Sequence, residues 1–146
     1  MKNLLVVVLM ILTFSSHAQY TYVPDNNFEQ ALINLGYDNA IDNYVLTSNI
    51  NSITALSVQG QNISSLEGIE DFSSLQNLNC NGNQLSVLNL NLNENIKYIQ
   101  CKNNPPLVAI DLRINNYTNL STLNVINNPS LSCIAVNNIY WFSNNF

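Results

Sequence analysis

From Leu75 onward the chain settles into one recurring order of residues: Leu75-x-x-Leu78-x-Cys80-x-x-Asn83-x-Leu85. The order returns at Ile96, Ile99, Cys101 and Asn104, closing with Leu107, and again at Leu120, Leu123, Val125 and Asn128, closing with Leu131. A weaker copy comes earlier, at Ile53, Leu56 and Val58, with Gln61 where Asn is expected and Ile63 after it. The starts at 53, 75, 96 and 120 lie 22, 21 and 24 residues apart. A unit this short cannot bury its apolar face alone. Copies must stack, each covering the next, and a continuous core follows from the stacking.

A second set is nested between the first: Leu85-x-x-Leu88-x-Leu90, Leu107-x-x-Ile110-x-Leu112 and Leu131-x-x-Ile134-x-Val136. Each coil therefore carries two short extended segments on opposite sides of a flat turn, with alternate side chains directed inward. The recurring Asn falls where the chain leaves a strand. Its amide can satisfy backbone groups that the turn leaves unpaired, and stacked copies can bond one another. Asn83, Asn104 and Asn128 are the expected ladder. Pro105 and Pro129 follow the Asn in the third and fourth copies and delay the next Leu by one residue, an insertion that belongs in a turn.

The complete copy at 75–85 matches the leucine-rich-repeat segment L-x-x-L-x-L/C-x-x-N-x-L. Over about residues 50–137 the chain resembles the internalin-like leucine-rich-repeat proteins exported by bacteria, in their nested variety with a period near 21 residues. Residues Ile63 to Phe72 resemble that family's first-coil signature, I-x-x-L-x-G-I-E-x-F. The resemblance implies a solenoid of about four coils with short parallel strands and an N-terminal helical cap. It also implies recognition of a partner through an exposed strand face. Gln61 and the longer third coil depart from the pattern.

The ends read differently. Lys2, the apolar run Leu4 to Phe14 and Ser16-His17-Ala18 form a secretory signal peptide, residues 1–18, cut after Ala18. Its apolar run falls far short of the roughly 20 residues needed to span a bilayer. Residues 19–52 form the cap. Phe28, Ala31, Leu32 and Leu35 share one helical face, Asn26 and Glu29 are spaced as a capping box, and Gly36 suits the helix end. Residues 53–137 are the repeats, and 138–146, with the aromatic cluster Ile139-Tyr140-Trp141-Phe142, are a short C-terminal cap or a truncated end.

Charged residues make up only 9% of the chain, and Asn, about a fifth of it, takes the polar role. Cleavage leaves Lys97, Lys102 and Arg113 against nine acids. Three scattered cations cannot neutralise a row of phosphates, so nucleic acid and anionic membrane surfaces are poor partners, and no membrane insertion is expected after cleavage. The mature chain has no His, which removes Ser-His-Asp and Cys-His machinery. Glu67, Glu70 and Asp71 cluster at one turn rather than facing each other across a cleft, so a hydrolase is disfavoured.

Cys80 and Cys101 occupy equivalent inward positions on adjacent coils, expected about 5 Å apart. Core thiols are favoured over a disulfide there, because Cys commonly replaces Leu at this position. Cys133 faces outward. No metal or cofactor is expected. Asp38, Asn39 and Asp42 resemble a sparse calcium loop, with a plain Asn/Asp turn favoured. The sequons at Asn62, Asn116 and Asn119 read as coincidence in so Asn-rich a chain.

What remains is the exposed strand face. Tyr98, Gln100, Lys102, Asn79, Asn124 and Ile126 are the candidate binding residues, with Tyr favoured at recognition hot spots. The expectation is a monomeric, non-enzymatic binding module for a protein or glycan. The alternative is a structural or adhesive surface component without a discrete ligand, or a fragment of a longer surface protein.

Overall fold

The computed structural model describes residues 19–113 and 120–137. The expected signal peptide, the sequons at 116 and 119 and the aromatic cluster at 139–142 lie outside the described residues. The cap contains β1 (Tyr20–Tyr22), α1 (Asn26–Asn34), β2 (Tyr44–Leu46) and α2 (Thr47–Ile50). The repeats give β3 (Ala55–Ser57), a 3-10 turn at Ile69–Asp71, β4 (Asn77–Asn79), β5 (Val87–Asn89), β6 (Tyr98–Gln100), β7 (Ala109–Leu112), β8 (Thr122–Asn124) and β9 (Cys133–Val136).

Every repeat strand runs parallel to its counterpart in the next coil. One sheet has the order β3-β4-β6-β8 and the other β5-β7-β9. The register follows the sequence repeat residue for residue: Leu56 pairs with Leu78, Leu78 with Ile99, and Ile99 with Leu123. On the second sheet Leu88, Ile110 and Ile134 form the matching column. Both columns point inward and meet in one core. Burial is nearly complete through Leu112, whereas Leu123, Val125, Leu131, Ile134 and Val136 of the last coil are only partly buried.

The turns after the first-sheet strands explain the doubled asparagines. Gly60, Gly82, Asn103 and Asn127 hold equivalent places with φ of 66°, 66°, 56° and 61°. Left-handed backbone suits Gly, and Asn is among the few other residues that tolerate it. Where Asn fills that place, the residue following it is the ladder Asn, giving Asn103-Asn104 and Asn127-Asn128. The Pro insertions fall in turns as expected: Leu107 N–H donates to Asn104 O and Leu131 N–H to Asn128 O, each closing a turn with Pro just inside it.

The ladder works through the backbone. Asn83 Oδ1 accepts from Gln61 N and Ile63 N of the coil before, while its Nδ2 donates to Val58 O and to Cys80 O. Asn104 repeats this towards Leu85 N and Cys80 O, and Asn128 towards Asn104 N, Cys101 O and Val125 O. Each amide thus joins two coils, with no side chain bonded to side chain among the three ladder members. Another buried amide, Asn93, links coils on the other side through its Nδ2 alone, which donates to Ile69 O and Phe72 O.

The cap departs from the sequence reading in detail. The helix is capped by Asp25, not Asn26, and there is no capping box: Asp25 Oδ1 accepts from Asn27 N and Phe28 N. A carboxylate one residue earlier fits the extended Ncap backbone and leaves Glu29 to turn inward. There Glu29 is fully buried, and its Oε1 accepts from Asp42 N and Tyr44 N. Phe28, Ala31 and Leu32 are buried as expected, but Leu35 is 43% exposed, because it is the C-cap residue where the helix ends. Gly36 takes φ of 80° and closes the helix, with Tyr37 N–H donating to Leu32 O. The cap holds more than that helix: β1 and β2 pair antiparallel, Tyr20 with Leu46 and Tyr22 with Tyr44.

The stretch from Ile63 to Phe72 fastens this cap to the first coil. Ile63, Leu66, Ile69 and Phe72 are buried, and the Phe72 ring stacks with Phe28 of α1 at 6.4 Å between centroids. Asp25 Oδ2 accepts from Ser64 N, Ser64 Oγ and Ser65 N, so one carboxylate caps the helix and holds the coil. Asp71 Oδ2 accepts from Thr21 Oγ1, itself in contact with Thr47 Oγ1. Gly68, with φ of 99°, passes so close to β1 that an added Cβ would stand 2.7 Å from Tyr22 O.

Candidate functional site

Strand alternation that sends Leu78 and Ile99 inward sends their neighbours outward, and the in-register coils align those neighbours in rows. One row is Ala55, Asn77, Tyr98 and Thr122; the next is Ser57, Asn79, Gln100 and Asn124. Beyond the strand ends, Gly60 N–H donates to Asn81 O, Gly82 N–H to Lys102 O and Asn103 N–H to Ile126 O, which continues the stack through a third row. Tyr98, Gln100, Lys102, Asn79, Asn124 and Ile126 therefore share one face.

Their freedom to meet a partner differs. Tyr98 is 46% exposed and Ile126 61% exposed. Asn79 is engaged within the fold, its Oδ1 accepting from Asn81 N and its Nδ2 donating to Gln59 Oε1. Asn124 Oδ1 similarly accepts from Ile126 N. The same turn recurs at Asn89 with Asn91 N, and at Asp111 with Arg113 N. These side chains shape the strand exits, a local use of Asn and Asp that competes with recognition. Lys102 is fixed at its backbone, where its N–H donates to Asn81 Oδ1 at 2.7 Å.

A shallow depression of about 210 Å³ lies on this face, lined by Ala55, Leu56, Ser57, Asn77, Leu78, Asn79, Tyr98 and Gln100. It exists because Ala55 and Ser57 are small while Tyr98, two coils along in the same sheet, is large. Tyr98 stands out in the sequence, whereas Ala55 and Ser57 do not by residue type alone. Their signal was available, as a drop in side-chain size along one row.

The other chemistries resolve into structural roles. Cys80 and Cys101 are both fully buried. The neighbouring Cys101 thiol and burial itself push the Cys80 thiol well above its ordinary range, so it stays protonated. Cys133 is exposed on β9. Glu70 Oε2 accepts from Gly68 N and Asp71 from Thr21, so two of the three clustered acids hold the first coil in shape. Asp42 Oδ1 accepts from Tyr44 N, forming an Asx turn. Among the described residues no group of three or more His, Cys, Asp or Glu is placed to hold a metal ion, and no helix is long and apolar enough to cross a membrane.

No family model matches this chain, and no curated protein matches it. Solved structures do. The functional domain of InlJ from Listeria monocytogenes, described as including a cysteine ladder, superposes with a TM-score of 0.56 at 22% identity, over 80% of this chain and 28% of that one. The internalin InlF of the same organism gives 0.53 at 21% identity, over 79% of this chain and 44% of that one. Internalin C2 of L. monocytogenes gives 0.53 at 19%, covering 84% and 70%. The chain thus spans less than half the length of the first two. With its parallel strands in register and its stacked apolar columns, the protein has the leucine-rich-repeat solenoid fold of these Listeria proteins.

Proposed function

We propose that the protein is an exported binding module that recognises a protein or glycan through the outer face of its four-stranded sheet. The observation that carries this is the depression beside Tyr98, where a half-exposed aromatic ring stands over small side chains on a rigid, in-register sheet. Tyr brings large contact area at low entropic cost, and rigid neighbours keep the ring in place before a partner arrives. The sequence of residues 1–18 supports export, and the fold shared with the Listeria internalins supports recognition rather than catalysis.

The test is to probe purified residues 19–146 against a secretome and a glycan array. Capture of a partner that is lost in both Tyr98→Ala and Lys102→Ala is the expected result. A surface component without a discrete ligand would give no partner, or one whose capture ignores both substitutions.

A further inference from the structure

The two sheets do not start together. The first sheet begins in the first coil, with β3, but the second begins one coil later, with β5. In the first coil the corresponding path is taken by the loop through Gly68 and the turn at Ile69–Asp71, drawn towards the cap by Asp25 and Thr21. That leaves β5 as an edge strand. Val108 N–H donates to Ser86 O and Leu90 N–H to Asp111 O, so Ser86, Leu88 and Leu90 direct their peptide groups at β7. In a parallel ladder successive residues alternate, so the N–H and C=O of Val87 and Asn89 point the other way. No backbone hydrogen bond joins either residue to the first coil.

These free groups border a groove of about 390 Å³. Its apolar lining comes from Leu66 and Ile69, both buried, and from Val87 and Leu92, which are 48% and 63% exposed. Glu67 and Glu70 supply its charge. Exposed sheet edges are ordinarily guarded by Lys, Pro or a bulge, because unpaired backbone groups recruit other strands. Residues 86–90 contain no Lys and no Pro.

We propose that this groove receives an extended, Lys- or Arg-bearing segment of a partner protein, which adds to β5 as a further strand. The main chain of the segment would bond Val87 and Asn89, its apolar side chains would cover the exposed Val87 and Leu92, and its cations would face Glu67 and Glu70. Strand addition of this kind takes affinity from the main chain and selectivity from alternate side chains. Charge argues against a second copy as the occupant, since β5-to-β5 pairing would bring two sets of Glu67 and Glu70 together. The groove belongs to the second sheet, so the inference is independent of the Tyr98 face.

The experiment uses residues 19–146, amide-resolved NMR and a synthetic hexapeptide of alternating Lys and Val. Three comparisons are the same peptide N-methylated at alternate amides, a Glu-Val peptide, and the variant Glu67→Gln/Glu70→Gln, in which the new amide at position 70 keeps an oxygen for Gly68 N. The Lys-Val peptide is expected to shift the Val87 and Asn89 amides and slow their exchange. N-methylation, Glu for Lys, or the double substitution is each expected to weaken binding about tenfold, the scale of one charged or main-chain bond. Unmoved Val87 and Asn89 amides, or equal binding of the N-methylated peptide, would overturn the proposal. So would equal binding of the Glu-Val peptide, or equal binding by a double variant whose spectrum shows it folded.

Discussion

Asparagine takes at least three places in this chain, separated by backbone geometry rather than by composition. Asn103 and Asn127 take left-handed backbone, Asn83, Asn93 and Asn104 are buried amides, and Asn79, Asn89 and Asn124 close turns at strand exits. The inward set at 83, 104 and 128 was legible because it falls at a fixed place in the repeat. Asn93 stands at the same place in the nested segment Leu85-x-x-Leu88-x-Leu90-x-x-Asn93, a signal as readable as that of Asn83, although its partners Ile69 O and Phe72 O follow only from the fold. Asn83→Ala should lower stability by about 1–3 kcal/mol, since it strands buried groups of two coils at once; urea unfolding monitored by circular dichroism measures this. Asp25 gives a pH signature. Burial pushes its pKa up, but hydrogen bonds from Ser64 Oγ, Ser64 N, Phe28 N and Ser65 N outweigh that and hold the carboxyl below its ordinary range. A carboxyl lowered in the folded state contributes stability above its unfolded pKa, about 4, and loses it as pH falls through the folded value. Unfolding curves between neutral and strongly acid pH should show that loss in the native chain, with a flatter profile in Asp25→Asn.

At the scale of elements, the repeat strands were readable and the cap only partly so. Columns of Leu and Ile announce parallel strands because every coil repeats the same instruction. A strand such as β1 is three residues long and appears once, so neither periodicity nor repetition marks it. Its pairing with β2 is a tertiary event, and so is the contact of Thr21 with Asp71. The helix was visible from its apolar face, yet its cap was displaced by one residue, since Asp25 and Asn26 are both acceptable Ncap types. Which one serves is settled by Ser64 and Ser65, far along the chain. At Gly68 the first coil passes close against the cap. Gly68→Ala should cost on the order of 2 kcal/mol or more, combining a left-handed backbone with a Cβ driven against Tyr22 O. Gly36→Ala, where an added Cβ meets nothing within 4 Å, bears only the backbone cost and should lose less in the same urea titration.

For the whole molecule, stability is that of a stack in which each coil depends on its neighbours. The core is closed at one end by α1 and the Phe28–Phe72 contact, and beyond the buried Leu120 the inward residues of the coil containing β8 and β9 are only partly covered. The outer rows that form the Tyr98 depression and the unpaired edge of β5 both follow from this arrangement. The first needs three coils in register, and the second arises because the two sheets begin in different coils. Tyr98 was legible as an unusual residue on a polar face. The groove beside β5 was not, because it depends on a strand the first coil lacks. The most direct test of the stacked core is a methyl NOESY spectrum of residues 19–146 with Leu and Ile methyl groups labelled. The account predicts cross-peaks linking Leu56 to Leu78, Leu78 to Ile99 and Ile99 to Leu123, as expected for strands about 4.8 Å apart. A folded protein in which those methyl groups show no mutual contacts would contradict it.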